Sequence, residues 1–201
     1  MKIEVFHQAA IKLISDKTIY FDPYNIDKEY HDADYIFITH DHYDHYDEQS
    51  INNISKETTK LIVPKCLEGN NENLVVEPDK EYEIDGIKFQ TIPSYNLTKP
   101  FHPKEKGYVG YNILLENEYY YIMGDTDRTP ETDMVKTDYC FVPIGGTYTM
   151  NVLEAADYVN HIHPKLAIPI HYGSIVGNIS LGEDFKNKVN EDIKVEIKIG
   201  Q

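Results

Sequence analysis

The segment His40-Asp41-His42-Tyr43-Asp44-His45 places three histidines and two aspartates in six consecutive positions, directly after the apolar run Tyr35-Ile36-Phe37-Ile38. Such a run reads as a buried strand, and a buried strand that empties into a polar loop is where α/β folds present their ligands. The chain is thereby constrained to a sheet-based fold with this loop at the carboxyl end of an inner strand. Only nine histidines occur in 201 residues, so three in six positions is far from random scatter. Imidazole and carboxylate together are the ligand set of borderline divalent cations, which makes the loop a candidate metal site. A polar surface loop is the plain alternative.

Short strands at hairpin spacing are predicted at Lys2 to Phe6, Ala10 to Ser15 and Thr18 to Phe21, ended by Asp22-Pro23. The strand Tyr35 to Ile38 leads through the histidine loop to a short helix at Glu48 to Ile54 and a strand at Lys60 to Val63, one α/β unit. The middle reads as mostly antiparallel: strands at Asn73 to Val76, Glu81 to Ile84 and Ile87 to Ile92, then a hairpin of Tyr108 to Leu115 with Tyr119 to Met123 around Glu116-Asn117-Glu118. The α/β pattern returns with a strand at Tyr139 to Val142, a helix from Val152 to Ile162, a strand at Leu166 to Ile170, a helix near Glu183 to Val189 and a strand at Ile193 to Ile199. Asn70-Asn71-Glu72-Asn73 is a polar turn and Thr98 to Gly107 the longest irregular connection, and neither marks a domain boundary. One α/β domain spanning 1–201 is expected, with two sheets packed face to face and helices on the outer faces.

Charge narrows the partners. Nineteen basic against 34 acidic residues give −15, a field that repels phosphate polymers, so nucleic acid and anionic membrane are disfavoured and neither is expected as a partner. Two bound divalent ions would add about four positive charges in one cleft, which leaves a small anionic substrate open. No apolar run approaches a membrane span, and Met1 to Phe6 reads as a strand rather than a signal peptide, so a cytoplasmic protein is expected. Cys66 and Cys140 sit in or beside apolar runs and read as plain thiols.

Leaving a strand two residues apart, His40 and His42 can point to one side, while Asp44 and His45 come from the turn that follows. One loop cannot complete the shells, since a four-coordinate ion wants four ligands and a catalytic site keeps one position for water. Two later positions repeat the pattern of a polar residue after an apolar strand: Asp125 in Met123-Gly124-Asp125-Thr126-Asp127, and His171 in Ile168-Pro169-Ile170-His171-Tyr172-Gly173. Alone, the first is a turn aspartate and the second a strand-end histidine. Beside the loop, both become candidate ligands.

These motifs, taken with Asp22 in Tyr20-Phe21-Asp22-Pro23, resemble the metallo-β-lactamase superfamily of metal-dependent hydrolases, in the family's order and over nearly the whole chain. The length is most similar to its short lactonase-like and phosphodiesterase-like branch. The resemblance implies a four-layer αββα sandwich of two mixed sheets and two divalent ions, zinc first, with manganese or iron suited to the same donors. It implies His40, His42 and His102 on one ion, Asp44, His45 and His171 on the other, and Asp125 bridging. A hydroxide shared by the ions would be the nucleophile, with Asp44 aiming it, on a small-molecule ester, lactone or phosphoester.

One position departs from the family. A histidine usually follows the strand that here is Ile87 to Ile92, yet the residues are Pro93-Ser94-Tyr95-Asn96, with Asn96 at the matching place. Asn is a poor zinc ligand, so His102, six residues on, is the candidate replacement. Asp22 is expected behind the ligands, fixing an imidazole's orientation, and His7 can approach the site in this architecture. Tyr95, Asn96 and Lys99 are candidate substrate contacts, as are Tyr148 and Thr149 in the glycine-containing loop Pro143 to Met150. His31, His161 and His163 lack strand-end context. Competing functions are a nuclease, disfavoured by acidity, a non-catalytic metal-binding or sensor module, and an iron-dependent redox enzyme.

Overall fold

Tyr35 and Phe37 turn to one side of their strand while Ile36 and Ile38 turn to the other, and all four are buried. A strand covered on both faces belongs to an inner layer, and this period-two pattern recurs through the chain. The computed structural model describes residues 1–69 and 72–199, so Asn70 and Asn71 of the expected polar turn lie outside the described residues.

Strands β1 (Lys2–Val5), β2 (Ile11–Ile14), β3 (Thr18–Phe21), β4 (Ala33–Phe37), β5 (Ser55–Pro64) and β6 (Leu74–Val76) form one sheet in that order. The first three are antiparallel, and β3 to β6 run parallel. The second sheet holds β7 (Lys80–Ile84), β8 (Ile87–Pro93), β9 (Val109–Leu115), β10 (Glu118–Ile122), β11 (Tyr139–Pro143), β12 (Leu166–Ile170) and β13 (Lys194–Val195), again in chain order. Here β7 to β10 are antiparallel and β10 to β13 parallel.

Both sheets are mixed, and they pack face to face. Phe21, Phe37 and Ile62 of the first sheet meet Phe89, Tyr111, Ile122 and Phe141 of the second. Outside the second sheet, Tyr121, Cys140, Val142 and Ala167 are covered by α2 (Val152–Ile162) and by Phe185 of α3 (Leu181–Lys186). Outside the first, Tyr20, Ile36 and Val63 meet Ile54 of α1 (Glu48–Ile54). This is the expected αββα order. Among the described residues no helix is long and apolar enough to cross a membrane.

Local chemistry explains the boundaries. The Glu116-Asn117 turn has both residues at positive φ (51° and 64°), as a two-residue hairpin requires. Helix α2 starts on a capping box, Asn151 Oδ1 accepting from the Leu153 and Glu154 amides while Glu154 Oε2 accepts from the Asn151 amide at 2.8 Å.

Three expected elements differ most. Strand β5 begins at Ser55 rather than Lys60, pairing Ser55 with Ala33 across an irregularity in the ladder. The last strand is shorter than Ile193 to Ile199 because Ala167 is the residue of β12 whose carbonyl turns toward it, accepting from the Glu196 amide at 3.1 Å. The next residue on that side is Pro169, which has no N–H to continue the ladder. The third helix begins at Leu181 rather than near Glu183, since the Asn178 side chain accepts from the Ser180 amide (2.9 Å) and opens the turn earlier.

Candidate metal centre

The histidine loop leaves the end of β4 and is pinned to the second sheet. Tyr111 Oη donates to the Ile38 carbonyl at 2.7 Å, and the Val109 amide to the Thr39 carbonyl at 3.1 Å. Asp125 leaves β10 through Gly124, at φ +65°, where an added Cβ would lie 3.0 Å from Thr39 Cβ. Glycine is needed there both for the left-handed backbone and for the close approach to the loop. His171 follows β12 at φ 58°, and its amide donates to the Gln8 carbonyl at 2.8 Å. The carboxyl ends of strands from both sheets thus converge on one edge.

Three groups of ligand atoms lie there, each with its members within 4.8 Å of one another: His40, His42 and His102; His40, His45 and Asp125; Asp44, His45 and His171. Asp125 sits between the two sides. Its Oδ1 is 3.4 Å from His45 Nε2, and its Oδ2 is 3.4 Å from His102 Nε2 and 3.1 Å from His171 Nε2. Asp44 Oδ2 is 3.5 Å from His171 Nε2.

Donor accounting sets the ring orientations. Asp22, fully buried, accepts from the Thr39 amide at 2.7 Å, from Thr39 Oγ1 at 2.6 Å and from His45 Nδ1 at 2.8 Å. Thr39 has given its one hydroxyl proton to Asp22, so its oxygen accepts from His40 Nδ1 at 2.9 Å. Asn96 Nδ2 donates to the Tyr148 carbonyl (2.9 Å), leaving Asn96 Oδ1 to accept from His102 Nδ1 at 2.9 Å. Each arrangement turns Nε2 toward the cluster, where its lone pair can take a cation once any proton on it has left. His42 instead presents Nδ1, 3.1 Å from His40 Nε2.

Burial holds the His40 imidazole well below its ordinary pKa, reinforced by the neighbouring His45 charge, and takes His102 down to about 4 against the pull of Asp125. On the other side burial also opposes charge on His45 and His171, but Asp125 overrides it, helped at His45 by Asp22. His45 is pushed well up and His171 to about 9. For the carboxylates burial works upward and the histidines win, bringing Asp44 to about 2 and Asp125 well below the carboxylate range. Two carboxylates therefore remain ionised in a buried site, and without a metal their charge is balanced by protons on His45 and His171.

The donors fit divalent cations. His45 Nε2, His102 Nε2 and Asp125 Oδ1 are buried with no hydrogen-bond partner, although they border the cluster. An unsatisfied buried polar group costs about 1–3 kcal/mol, and ionic contacts of 3.4 Å within the cluster offset only part of that, so the three together fit a bound cation.

Not all the expected neighbours are here. His7 is exposed, and the adjacent Gln8, turned by a left-handed backbone (φ 55°), takes the inward place. Its Nε2 donates to Asp44 Oδ2 at 3.2 Å, and its Oε1 accepts from Ser174 Oγ at 2.7 Å. Of the five candidate substrate contacts, Tyr148 alone lines the cleft of about 230 Å³ over the cluster, with His42, Tyr43, Asp44, Phe101, His102, Asp125 and Ile175. Tyr95 is turned to Glu131 (2.8 Å), Lys99 is paired with Asp127 (2.6 Å), and Thr149 is buried. Asn96 contacts the His102 ring. His31, His161 and His163 are exposed, as their context suggested. Sequence reading also passed over Tyr108, whose ring lies 5.0 Å from that of His40 while its hydroxyl donates to Asp41 at 2.7 Å.

A family model described as the beta-lactamase superfamily domain matches residues 2–171. A UPF0173 protein of Pyrococcus abyssi is 31% identical over 94% of this chain and 90% of its own length. A UPF0173 metal-dependent hydrolase of Staphylothermus marinus is 32% identical over 92% of this chain and 86% of its own. A solved structure from Parabacteroides distasonis, assigned as a metal-dependent hydrolase, superposes with TM-score 0.85 at 28% identity, covering 98% of this chain and 92% of that one. A metallo hydrolase of Ignicoccus hospitalis shares the fold at 21% identity, with TM-score 0.77 over 97% and 93% of the two chains.

Proposed function

The chain belongs to the metallo-β-lactamase superfamily, in the UPF0173 family of metal-dependent hydrolases, and from that premise we propose a dinuclear centre that hydrolyses an ester, lactone or phosphoester of a small molecule. His40, His42 and His102 would hold one ion, Asp44, His45 and His171 the second, and Asp125 would touch both. Zinc suits this set of imidazoles and carboxylates best, and manganese and iron share it. The observation that carries the reading is the convergence of buried ligand atoms on His45, His102 and Asp125 that make no hydrogen bond and face one another only across ionic contacts of 3.4 Å.

Bound there, two divalent ions supply a water of lowered pKa and a Lewis acid for the substrate oxygen. The chain's own groups do the positioning. Asp22 and Thr39 keep His40 and His45 in one orientation each, and Asn96 does the same for His102. Gln8, itself held by Ser174, fixes one oxygen of Asp44. Asp44 stays ionised through neutral pH and, lining the cleft, accepts a hydrogen bond from the attacking water and aims its lone pair at the substrate.

Metal analysis of protein purified without added metals, followed by turnover assays on esters, lactones, phosphodiesters and phosphomonoesters, tests this reading. Stoichiometric metal with hydrolysis of one class supports it. Bound metal without hydrolysis of any class would leave a sensor, and oxygen-dependent turnover with iron a redox enzyme.

A further inference from the structure

The wall of the cleft differs sharply from its floor. His42, Asp44, His102 and Asp125 form the floor, and Tyr43, Phe101, Tyr148 and Ile175 the wall. These four come from separate loops, yet the slot is built rather than incidental. Phe101 and Tyr148 meet edge to face with ring centroids 4.7 Å apart, and Asn96 ties their loops by donating to the Tyr148 carbonyl. Tyr43 rests edge-on against Tyr24 at 6.0 Å.

Three of the wall residues, Tyr43, Phe101 and Ile175, are 38–65% exposed, large apolar side chains that solvent alone does not favour. No lysine or arginine is among the described residues lining the cleft. The nearby Lys99 is committed to Asp127 at 2.6 Å, and Lys104 to Glu131 at 2.6 Å. A phosphate group here would rest on the metal ions of the floor alone, because no lysine or bidentate guanidinium reinforces them from this wall.

We propose that the substrate is an uncharged carboxylic ester or lactone whose apolar part, a single ring or a short branched chain, seats in the Tyr43, Phe101, Tyr148 and Ile175 slot. The size follows from the volume. An apolar cavity of about 150 Å³ holds one benzene ring, so about 230 Å³ accommodates such a group and the reacting carbonyl but no long chain. In the reaction the oxygen of water bonds to the acyl carbon, the acyl C–O bond breaks, and a proton of that water passes to the leaving oxygen, giving acid and alcohol. This substrate class rests on the hydrolase reading above, whereas the slot itself does not.

Two series separate them: methyl esters of acids of increasing chain length and acetates of alcohols of increasing length, each on metal-loaded protein with proton release followed by an indicator. The expected result is a kcat/KM that rises about fourfold per methylene in one series until the slot is full, and then falls. Methyl p-nitrophenyl phosphate should be about 100-fold poorer, and Phe101→Ala or Tyr148→Ala should flatten the rise while Phe101→Leu keeps most of it. A flat series, or preference for the phosphodiester, overturns the proposal and leaves the hydrolase standing. Binding of phenylacetate against acetate, read by calorimetry, is the readout that needs no turnover. Phenylacetate binding at least tenfold tighter, and weakened in Phe101→Ala, upholds the slot even if nothing is hydrolysed, in which case the hydrolase reading is what fails. Equal binding of the two removes the slot.

Discussion

Asp22→Asn changes the site by two atoms' chemistry and almost no volume. The carboxylate accepts three bonds of 2.6–2.8 Å, one of them from His45 Nδ1. An amide can keep the Thr39 amide bond through its oxygen, but its nitrogen then faces Thr39 Oγ1 and His45 Nδ1. The threonine hydroxyl can turn to accept. His45 must give up its Nδ1 proton to accept the amide hydrogen, which leaves a proton on Nε2, the atom that faces Asp125. A bond to a charged acceptor is replaced by a neutral one at a cost of about 1–2 kcal/mol in the metal-free protein, and the ligand lone pair is turned away. Changes behind a ligand of this kind weaken metal binding about 10- to 100-fold, or about 1.4–2.8 kcal/mol. The loss should fall on the ion held by His45. Chelator competition resolves the two sites, and nitrogen-15 NMR of the imidazoles reports the tautomer. Two ions bound with wild-type affinity in Asp22→Asn would refute the tautomer argument.

Gly145→Ala tests the backing of His171, because a Cβ there collides with the His171 carbonyl and lies 2.7 Å from Val176 Cγ2. The overpacking should cost about 1–3 kcal/mol, read as a fall in Tm of several degrees, and an unchanged Tm contradicts it. Gln8→Leu removes the donor to Asp44 and the weaker 3.5 Å contact of the same nitrogen with His171 Nε2, so kcat should fall while metal stoichiometry stays at wild type; loss of metal would mean that Gln8 holds the site rather than orienting Asp44. Glu131 is lowered to about 2, first by its hydrogen bond with Lys104 and then by that with Tyr95, against burial. Its contribution is present above its unfolded pKa near 4.5 and is lost as pH falls toward 2. For this partly exposed pair the difference should be about 1 kcal/mol or less, so the stability gap between wild type and Glu131→Gln, largest at neutral pH, should close between pH 4.5 and 2 in denaturant titrations.

Much of the framework is legible in the chain because inner strands must be apolar on both faces. Runs such as Tyr139-Cys140-Phe141-Val142 are apolar without a break, which marks a strand covered on both faces, and Asn151 with Glu154 spells out a helix start. The cluster was legible for a related reason: ligands follow strand ends, and strand ends are easy to find. Direction after a strand end is harder, since one backbone angle decides it. Gln8 at φ 55° sends its own side chain inward and leaves His7 exposed. Tyr95 and Lys99 are likewise drawn off to Glu131 and Asp127, partners more than 25 residues away that no local pattern reveals. The early end of the last strand turns on which side Pro169 faces, a register that exists only once the sheet has formed.

Reconstitution of the metal-stripped chain, with ion content counted per chain and repeated on Asp125→Ala, tests the centre most directly. Two divalent ions should bind the wild type, raising Tm and releasing protons. Asp125→Ala should lose at least one ion and most turnover. A wild-type chain that takes up no stoichiometric metal, or an Asp125→Ala variant that keeps both ions and full activity, would contradict a dinuclear centre built around Asp125.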